Sequence, residues 1–305
     1  MIKVFGHTSP DTDSTLSPII WAWYLTEVRG TPAAPFVLGM PNTEALFLLD
    51  HWGLPRPDLL STLANGDRVV IVDTNNPAEL PDTIEHAEIV EIIDHHLLAG
   101  GLKTRSPITM TLRPLACTAT VMHDLMGADL SRAPDAIRGA MLSCILSDTL
   151  GFRSPTTTPH DRAVAERLAT EMGIDVQELS AGMFAAKSDV SAFSDAALLR
   201  MDSKEYEIDG IGLRISVLET TAPQVILGRK ASLMAAMPGV AAEDGADDVL
   251  LFVIDILREE ATLLVQNDRV RRLAEASFGV TVSGDTVVLP GILSRKKQII
   301  PALTL

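Results

Sequence analysis

Histidine and aspartate side chains follow three short apolar runs of this sequence, where each run ends. Seven such side chains follow the runs IKVF, VVIV and VEII: His7, Asp11, Asp13, Asp73, Asp94, His95 and His96. An eighth, Asp148, lies at the end of a strongly apolar helical stretch. Imidazole and carboxylate ligands without a thiolate suit manganese, iron or cobalt, and zinc is also possible. Such a large set predicts two ions about 3.5–4 Å apart that share one carboxylate, an arrangement that activates water and binds phosphate oxygens.

Each of these residues, taken alone, also has a structural explanation that needs no metal. A single aspartate after a strand is usually a helix cap or a turn residue. The adjacent pair His95 and His96 is harder to explain in that way. The remaining histidines lie in helical or loop contexts without aspartate clusters: His51, His86, His123 and His160. The cluster as a whole therefore favours a metal site.

The apolar runs that precede these residues predict the strands that position them. Residues 2–5, 68–72 and 88–93 are rich in valine and isoleucine, which favours β-strands. Strands that are apolar on both faces and separated by helices are typical of a parallel sheet covered on both sides. Ligands of such sheets bind beyond the carboxyl ends of the strands. We therefore expect the three groups of side chains at one sheet edge.

A second domain is predicted after a small, serine-rich stretch at 185–195. Helices are expected before it, at 14–29, 134–149 and 160–172, the last with Thr158 as its N-cap and Gly173 after its end. After it, strands are expected at about 205–208, 211–218, 248–254 and 260–265, with a helix at 222–240. We predict a metal-binding catalytic domain at 1–187, a linker at 188–195 and a smaller mixed α/β substrate-binding domain at 196–305.

Composition narrows the possible partners and the compartment. The 305 residues include 25 basic and 40 acidic ones, a net charge of −15, so non-specific duplex binding is disfavoured. Bound cations can still attract a small anionic substrate. Only Cys117 and Cys144 are present, which fits a reducing compartment. Neither a signal-peptide core nor an apolar run long enough to span a membrane is found, so we expect a cytoplasmic protein without a membrane partner.

The order of GHTSPDTDS, VVIVD and IIDHH resembles that of the DHH phosphoesterase superfamily. Ser294 to Gln298 (SRKKQ) and Asp202 to Glu205 (DSKE) resemble the family II, manganese-dependent inorganic pyrophosphatases, as do the CTAT and FRSPTTT stretches. The resemblance covers nearly the whole chain. It implies an α/β fold with an N-terminal parallel-sheet DHH domain, a C-terminal DHHA2-like domain and an active site in the interdomain cleft. It also implies hydrolysis of inorganic diphosphate to two orthophosphates by a metal-bridged hydroxide at a dinuclear site.

The resemblance also implies the roles of individual residues. One metal would be held by His7, Asp11 and Asp73, and the other by Asp13, Asp73, His95 and Asp148. Substrate binding and catalysis would involve His96, Lys204, Arg295 and Lys296, and Asp94 would orient a ligand histidine. The implied cofactors are two Mn²⁺ (or Co²⁺) per subunit, with Mg²⁺ on the substrate, and the implied assembly is a homodimer.

The sequence departs from the family pattern around these residues. Thr74-Asn75-Asn76 stands where the family has His-Asn-Glu, Glu79 replaces a glutamine, and Leu97 replaces an arginine after the two histidines. Every implied metal ligand is retained. The departures therefore affect the hydrogen bonds around the ligands and the metal preference.

Two other functions are compatible with parts of this pattern. One is a DHH phosphodiesterase acting on short oligonucleotides or cyclic dinucleotides. That class carries a Gly-Gly-Gly-His motif, which is absent here, and only 4% of the residues are aromatic, which disfavours a base-stacking groove. The other is a non-catalytic sensor that kept the fold, but the complete ligand set argues against it.

Overall fold

The computed structural model describes residues 1–208 and 210–304 and contains two compact units. The first comprises Met1–Ala186, and the second begins at Lys187. None of the helices in the described part of the chain has the length and apolar character that a bilayer span requires.

A six-stranded parallel sheet forms the centre of the first unit, in the order β3-β2-β1-β4-β5-β6. Its strands are β1 (Ile2–Phe5), β2 (Ala33–Val37), β3 (Asp58–Leu59), β4 (Arg68–Val72), β5 (Glu88–Asp94) and β6 (Thr109–Leu112). The chain order reverses between β1 and β4, which are adjacent. Doubly wound sheets bind their ligands at such a switch point. The predicted parallel sheet and its strands at 2–5 and 68–72 are confirmed, and the strand predicted at 88–93 extends through Asp94.

The helices of the first unit are α1 (Thr12–Trp23), α2 (Thr43–His51), α3 (Thr118–Met126), α4 (Asp135–Asp148), α5 (Pro159–Met172) and α6 (Val176–Lys187). The predicted start of α5 is confirmed, because Thr158 and Asp161 form a reciprocal capping box there. Gly173 ends α5 in the left-handed conformation. The helix predicted at 14–29 consists of α1 and a π-helical continuation, Tyr24–Val28.

The second unit contains a mixed five-stranded sheet in the order β11-β10-β9-β8-β7, in which only β8 and β9 are parallel. Its strands are β7 (Ser203–Ile208), β8 (Ile211–Thr220), β9 (Asp248–Asp255), β10 (Glu260–Leu264) and β11 (Thr286–Pro290). Its helices are α7 (Asp195–Met201), α8 (Pro223–Leu227), α9 (Lys230–Asp244), α10 (Asp268–Phe278) and α11 (Ile300–Ala302).

The fully buried strand β9 separates two apolar cores of this unit. Leu250 and Phe252 pack into one core, and Val249 and Leu251 pack into the other. Successive side chains of a strand point to opposite faces, so both faces of the sheet are covered.

One detail of the sequence-based prediction is wrong. The helix predicted at 222–240 is interrupted at Gly228-Arg229, where α8 ends and α9 begins. In the serine-rich stretch at 185–195, α6 continues to Lys187 and α7 begins at Asp195, and the residues between them are not helical. Ser194 accepts a hydrogen bond from the Ala197 amide and so caps α7, a role that serine commonly has at helix starts.

Candidate metal centre

Asp73 lies between two histidines at the carboxyl ends of three adjacent strands. The Oδ2 atom of Asp73 is 3.5 Å from Nε2 of His7, which follows β1. The Oδ1 atom is 3.4 Å from Nε2 of His95, which follows β5. Because the two carboxylate oxygens face different imidazoles, the geometry suits a carboxylate shared by two ions.

The backbone at Asp73 has an unusual conformation that fixes this orientation. Its φ of 59° lies in the left-handed region, which few residues other than glycine adopt, aspartate and asparagine most readily among them. The Asp73 amide donates to the carbonyl of Ile93 at 2.9 Å, and Thr118 Oγ1 donates to Asp73 Oδ1 at 3.1 Å. Backbone strain of this kind clusters at functional sites.

The other predicted ligands of the first unit lie in the same cluster. Asp11 caps α1 through the Ser14 amide, and its Oδ1 is 3.7 Å from His7 Nε2. Ligand atoms of His7, Asp11 and Asp73 lie within 4.8 Å of one another, and so do those of Asp13, Cys117 and Asp148. The six residues predicted as metal ligands thus form neighbouring groups, which Thr118 connects through its contacts with Asp13 and Asp73.

Asp13 is held by residues that the sequence analysis did not single out for the metal site. Its Oδ2 accepts a hydrogen bond from the Thr118 amide at 2.7 Å and contacts Cys117 Sγ at 3.1 Å, while Ser17 Oγ donates to Oδ1. The predicted ligand set contains no thiol, yet a thiol touches one of its carboxylates. Burial raises the pKa of Cys117 well above its ordinary value, so this thiol is protonated and donates to Asp13. The CTAT stretch was the only sequence signal for these contacts.

Glu44 is a second residue that the sequence analysis missed. Its Oε2 accepts hydrogen bonds from Thr12 Oγ1 at 2.8 Å and Ser147 Oγ at 2.7 Å. Thr12 and Ser147 immediately precede Asp13 and Asp148. This fully buried carboxylate therefore fixes the two chain segments that carry those aspartates.

The pKa values of the buried carboxylates indicate whether the cluster suits metal ions. Burial raises the pKa of Asp73 well above its ordinary value, and the carboxylates of Asp13 and Asp11 raise it further. Burial likewise raises the pKa of Asp148, with contributions from Asp13 and Asp73. Asp148 Oδ2 is buried and has no hydrogen-bond partner among the described residues. Several close carboxylates stay ionised together when cations neutralise them, so the donor set fits divalent metal ions.

The two adjacent histidines are held in different ways. His95 Nδ1 lies 3.0 Å from the Leu115 carbonyl, which can only accept, so Nδ1 carries the proton and Nε2 faces Asp73 with its lone pair. His96 Nδ1 lies 2.9 Å from Asp94 Oδ1, and the His96 side chain is 52% exposed. His95 therefore has the geometry of a ligand, and His96 that of a group open to substrate.

Asp94, which was predicted to orient a ligand histidine, contacts both histidines. Its Oδ1 accepts from the His95 amide at 2.7 Å, and its ring contact is with His96. The ring of His95 is held by the Leu115 carbonyl, in the loop after β6. A backbone carbonyl in a loop has no sequence signature, which explains why the contact with Leu115 was not predicted.

Asp161 anchors the loop that carries Leu115. Its Oδ2 accepts hydrogen bonds from the amides of Ala116 and Thr158, both at 3.1 Å, and it is fully buried. The capping box of α5 therefore also fixes the segment next to His95.

The predicted substrate-binding cations lie in the second unit. Lys204 on β7 and Lys296 are exposed. Arg295 Nη2 is 2.7 Å from Asp202 Oδ1, and Arg295 Nη1 donates to the Asp202 carbonyl at 2.7 Å.

A second histidine cluster in the first unit does not suit a metal ion. His123 Nδ1 and His160 Nε2 lie 3.0 and 2.8 Å from Asp124 Oδ1. Arg113 Nη1 donates to Asp124 Oδ2 at 2.7 Å, and Arg167 contacts His123 Nε2. One guanidinium group at the carboxylate and another at the His123 ring oppose the binding of a further cation. The sequence analysis had placed both histidines outside the aspartate-rich cluster at the strand ends and so missed this one.

Comparisons with known proteins identify the class and then the family. The model of the DHH family N-terminal domain matches residues 1–148, and the DHHA2 domain model matches residues 181–305, so the chain is a two-domain DHH protein. A Deinococcus radiodurans protein named a probable manganese-dependent inorganic pyrophosphatase is 40% identical over 99% of this chain and 98% of its own. The manganese-dependent inorganic pyrophosphatase of Bacillus subtilis is 35% identical over 99% and 97%. This chain belongs to the family of manganese-dependent inorganic pyrophosphatases.

Solved structures agree with this assignment. A Methanococcus jannaschii protein assigned to the family II inorganic pyrophosphatases superposes with a TM-score of 0.61 at 32% identity, over 99% of this chain and 98% of its own. An exopolyphosphatase-related protein from Bacteroides fragilis, 14% identical with a TM-score of 0.51, shares the fold.

Proposed function

We propose that this protein hydrolyses inorganic diphosphate to two orthophosphates in a manganese-dependent reaction. The observation that carries the proposal is the position of Asp73, whose two oxygens face His7 and His95 within a cluster of buried carboxylates. The names of the full-length relatives support the same substrate and the same metal.

We propose six residues as ligands of two Mn²⁺ ions, which Co²⁺ can replace. The ligands would be His7, Asp11, Asp13, Asp73, His95 and Asp148, and Asp73 would contribute to both positions. When bound, such ions lower the pKa of water and neutralise negative charge on phosphate oxygens. Other groups of the protein orient the ligand side chains. The Leu115 carbonyl fixes the His95 ring, and Thr118 fixes the Asp73 and Asp13 carboxylates.

His96 would bind the substrate and, when both ring nitrogens are protonated, supply the Nε2 proton to the departing phosphate, which leaves the Nδ1–H tautomer. Asp94 accepts the hydrogen bond from Nδ1, so Nε2 is the ring atom that faces the substrate. A positioned imidazole of this kind accelerates a proton-transfer step by about 10²–10⁴-fold.

Lys204, Arg295 and Lys296 would bind the diphosphate, which carries up to about four negative charges and brings Mg²⁺ with it. Arginine offers a planar fork for phosphate oxygens, and lysine a compact charge. In this proposal 1–187 is the metal-binding domain, 188–195 the linker and 196–305 the substrate-binding domain. A homodimer and a cytoplasmic location stay predictions.

A phosphate-release assay, run beside chromatography of the nucleotide products, tests the proposed function directly. The manganese-loaded protein is given inorganic diphosphate, a short oligonucleotide or a cyclic dinucleotide, with the Asp73→Asn variant as a control for contaminating activity. Rapid phosphate release from diphosphate alone supports the proposal. Preferential cleavage of either nucleotide substrate would instead favour the phosphodiesterase alternative, and no turnover of any substrate would favour the sensor.

A further inference from the structure

Asn75 uses its whole side-chain amide at the candidate site. Nδ2 donates to Asp94 Oδ2 at 2.6 Å and to the Leu97 carbonyl at 3.0 Å, while Oδ1 accepts from the Ala99 amide at 2.8 Å. The residue is only 2% exposed. A buried amide with both donors and its acceptor engaged has one orientation available, because any rotation leaves polar groups unpaired.

Asp94 connects this amide to His96. While Oδ2 accepts from Asn75, Oδ1 lies 2.9 Å from His96 Nδ1 and accepts from the amides of His95 at 2.7 Å and His96 at 3.1 Å. The carboxylate is fully buried, so its orientation depends on these contacts. With Asn75 in place, Oδ1 is directed at the imidazole of His96, whose Nδ1 then carries the proton.

We propose that Asn75 is a positioning residue that acts through Asp94 on His96, and this proposal rests on the role proposed for His96 in diphosphate hydrolysis. Asparagine meets the requirement because the position needs two donors and one acceptor. Aspartate at this position would place a second carboxylate against Asp94, and alanine would leave three polar groups without partners.

The neighbouring asparagine provides a matched control. Asn76 Oδ1 accepts from the Ala78 amide at 3.1 Å and so caps a short turn. Thr74 Oγ1 donates to Glu79 Oε2 at 2.6 Å. Of the three residues that follow Asp73, only Asn75 contacts Asp94 within the described part of the chain.

The kinetic test is a double-mutant cycle on the manganese-loaded protein. We expect Asn75→Ala to lower kcat by about 10- to 100-fold, the range for residues that orient ligand or catalytic groups, while manganese content by elemental analysis stays unchanged. Asn76→Ala should remain near the wild-type rate. If Asn75 acts through His96, adding Asn75→Ala to His96→Gln should slow the enzyme little further. Losses that multiply in the double variant, or loss of manganese in Asn75→Ala, would overturn the proposal.

An NMR measurement of the His96 ring tests this proposal independently of the proposed function. In the Mg²⁺-loaded protein, which is diamagnetic, ¹⁵N resonances of His96 report which ring nitrogen carries the proton. We expect the Nδ1–H tautomer in the wild type and in Asn76→Ala, and a mixture of tautomers in Asn75→Ala. An unchanged His96 tautomer in Asn75→Ala would contradict the proposal. Because the spectrum is independent of turnover, it remains decisive even if diphosphate is not the substrate.

Discussion

Arg295 contacts Asp202 twice, once through the backbone carbonyl and once through the carboxylate. The two nitrogens at the end of the guanidinium, Nη1 and Nη2, each lie 2.7 Å from an Asp202 oxygen. Nε makes no hydrogen bond among the described residues, which leaves the Nε/Nη2 edge as a fork for phosphate oxygens. Asp202 thus fixes the direction in which the predicted anion-binding edge of Arg295 points.

This contact makes lysine a poor substitute for Arg295. An ammonium group cannot contact both Asp202 oxygens and offer a planar fork at the same time. We expect Arg295→Lys to raise KM for diphosphate and to lower kcat, with a loss close to that of Arg295→Ala. Steady-state kinetics measure both constants, and Lys297→Ala, an exposed cation outside the predicted set, serves as the control. An Arg295→Lys enzyme with wild-type constants would show that charge alone matters there.

Replacement of Asp73 should remove metal from both proposed positions. Asparagine tolerates the positive φ of this residue, so Asp73→Asn changes the charge with little backbone strain. We expect elemental analysis to find a loss of manganese at both positions, together with a loss of activity far beyond that of Glu79→Gln. Two ions per chain in Asp73→Asn, with near-normal turnover, would show that the carboxylate is not shared.

The two adjacent histidines should separate metal binding from catalysis. His95→Gln should lower manganese content, because the Nε2 atom that faces Asp73 is lost. His96→Gln should keep the metal and lose about 10²–10⁴-fold in kcat. Elemental analysis and kinetics on the same preparations measure both effects. The reverse pattern, with metal lost only in His96→Gln, would exchange the two assignments.

Metal removal should give the protein an unusual dependence of stability on pH. In the metal-free protein the pKa values of Asp73 and Asp148 are raised by burial and by neighbouring carboxylates. A raised folded-state pKa contributes stability that is present below the unfolded value of about 4 and is lost as pH rises through the folded value. We therefore expect the free energy of unfolding of metal-free protein to fall from pH 5 to pH 7.5.

Denaturant titrations at the two pH values measure this fall. Added Mn²⁺ should stabilise the protein more at pH 7.5 than at pH 5, and Asp148→Asn should weaken the pH dependence. If the metal-free protein instead becomes more stable as the pH rises, the carboxylates are neutralised by some other group.

The two cysteines should resist alkylation in the folded protein. Burial raises the pKa of both Cys117 and Cys144 well above the ordinary value, and both side chains are inaccessible. Because the thiolate is the reactive form, iodoacetamide should label neither residue at pH 8 and both after unfolding. Mass spectrometry counts the labels. A labelled cysteine in the native protein would indicate local opening next to Asp13.

The sequence predicted the parallel sheet because its central strands are continuous apolar runs, and β4 was placed at its observed bounds. It also predicted which side chains meet, since strand ends in a parallel sheet share one edge. The carbonyl of Leu115 and the amides of Ala116 and Thr118 could not be predicted in the same way. Backbone groups carry no residue-specific signal, and their positions depend on how a loop is anchored elsewhere.

Strands near the sheet edges and buried polar residues were also not predicted from the sequence. Strands β2, β3, β6 and β11 were not predicted, because each lies at or near a sheet edge and most of its residues are not buried. Buried polar residues such as Glu44 resemble surface residues in a sequence. Glu44 is buried beside Ser147, which donates a hydrogen bond to it and is distant from it in the chain.

The hydrogen bond from the Ala116 amide to Asp161 has a consequence for shortened forms of the chain. All six proposed ligands lie between His7 and Asp148, so a chain that ends between residues 148 and 161 contains every one of them. Such a chain lacks α5 and the carboxylate that holds the Ala116 amide, next to the carbonyl that contacts the His95 ring. The shortest stretch of sequence that contains the ligands is therefore shorter than the stretch that orients them.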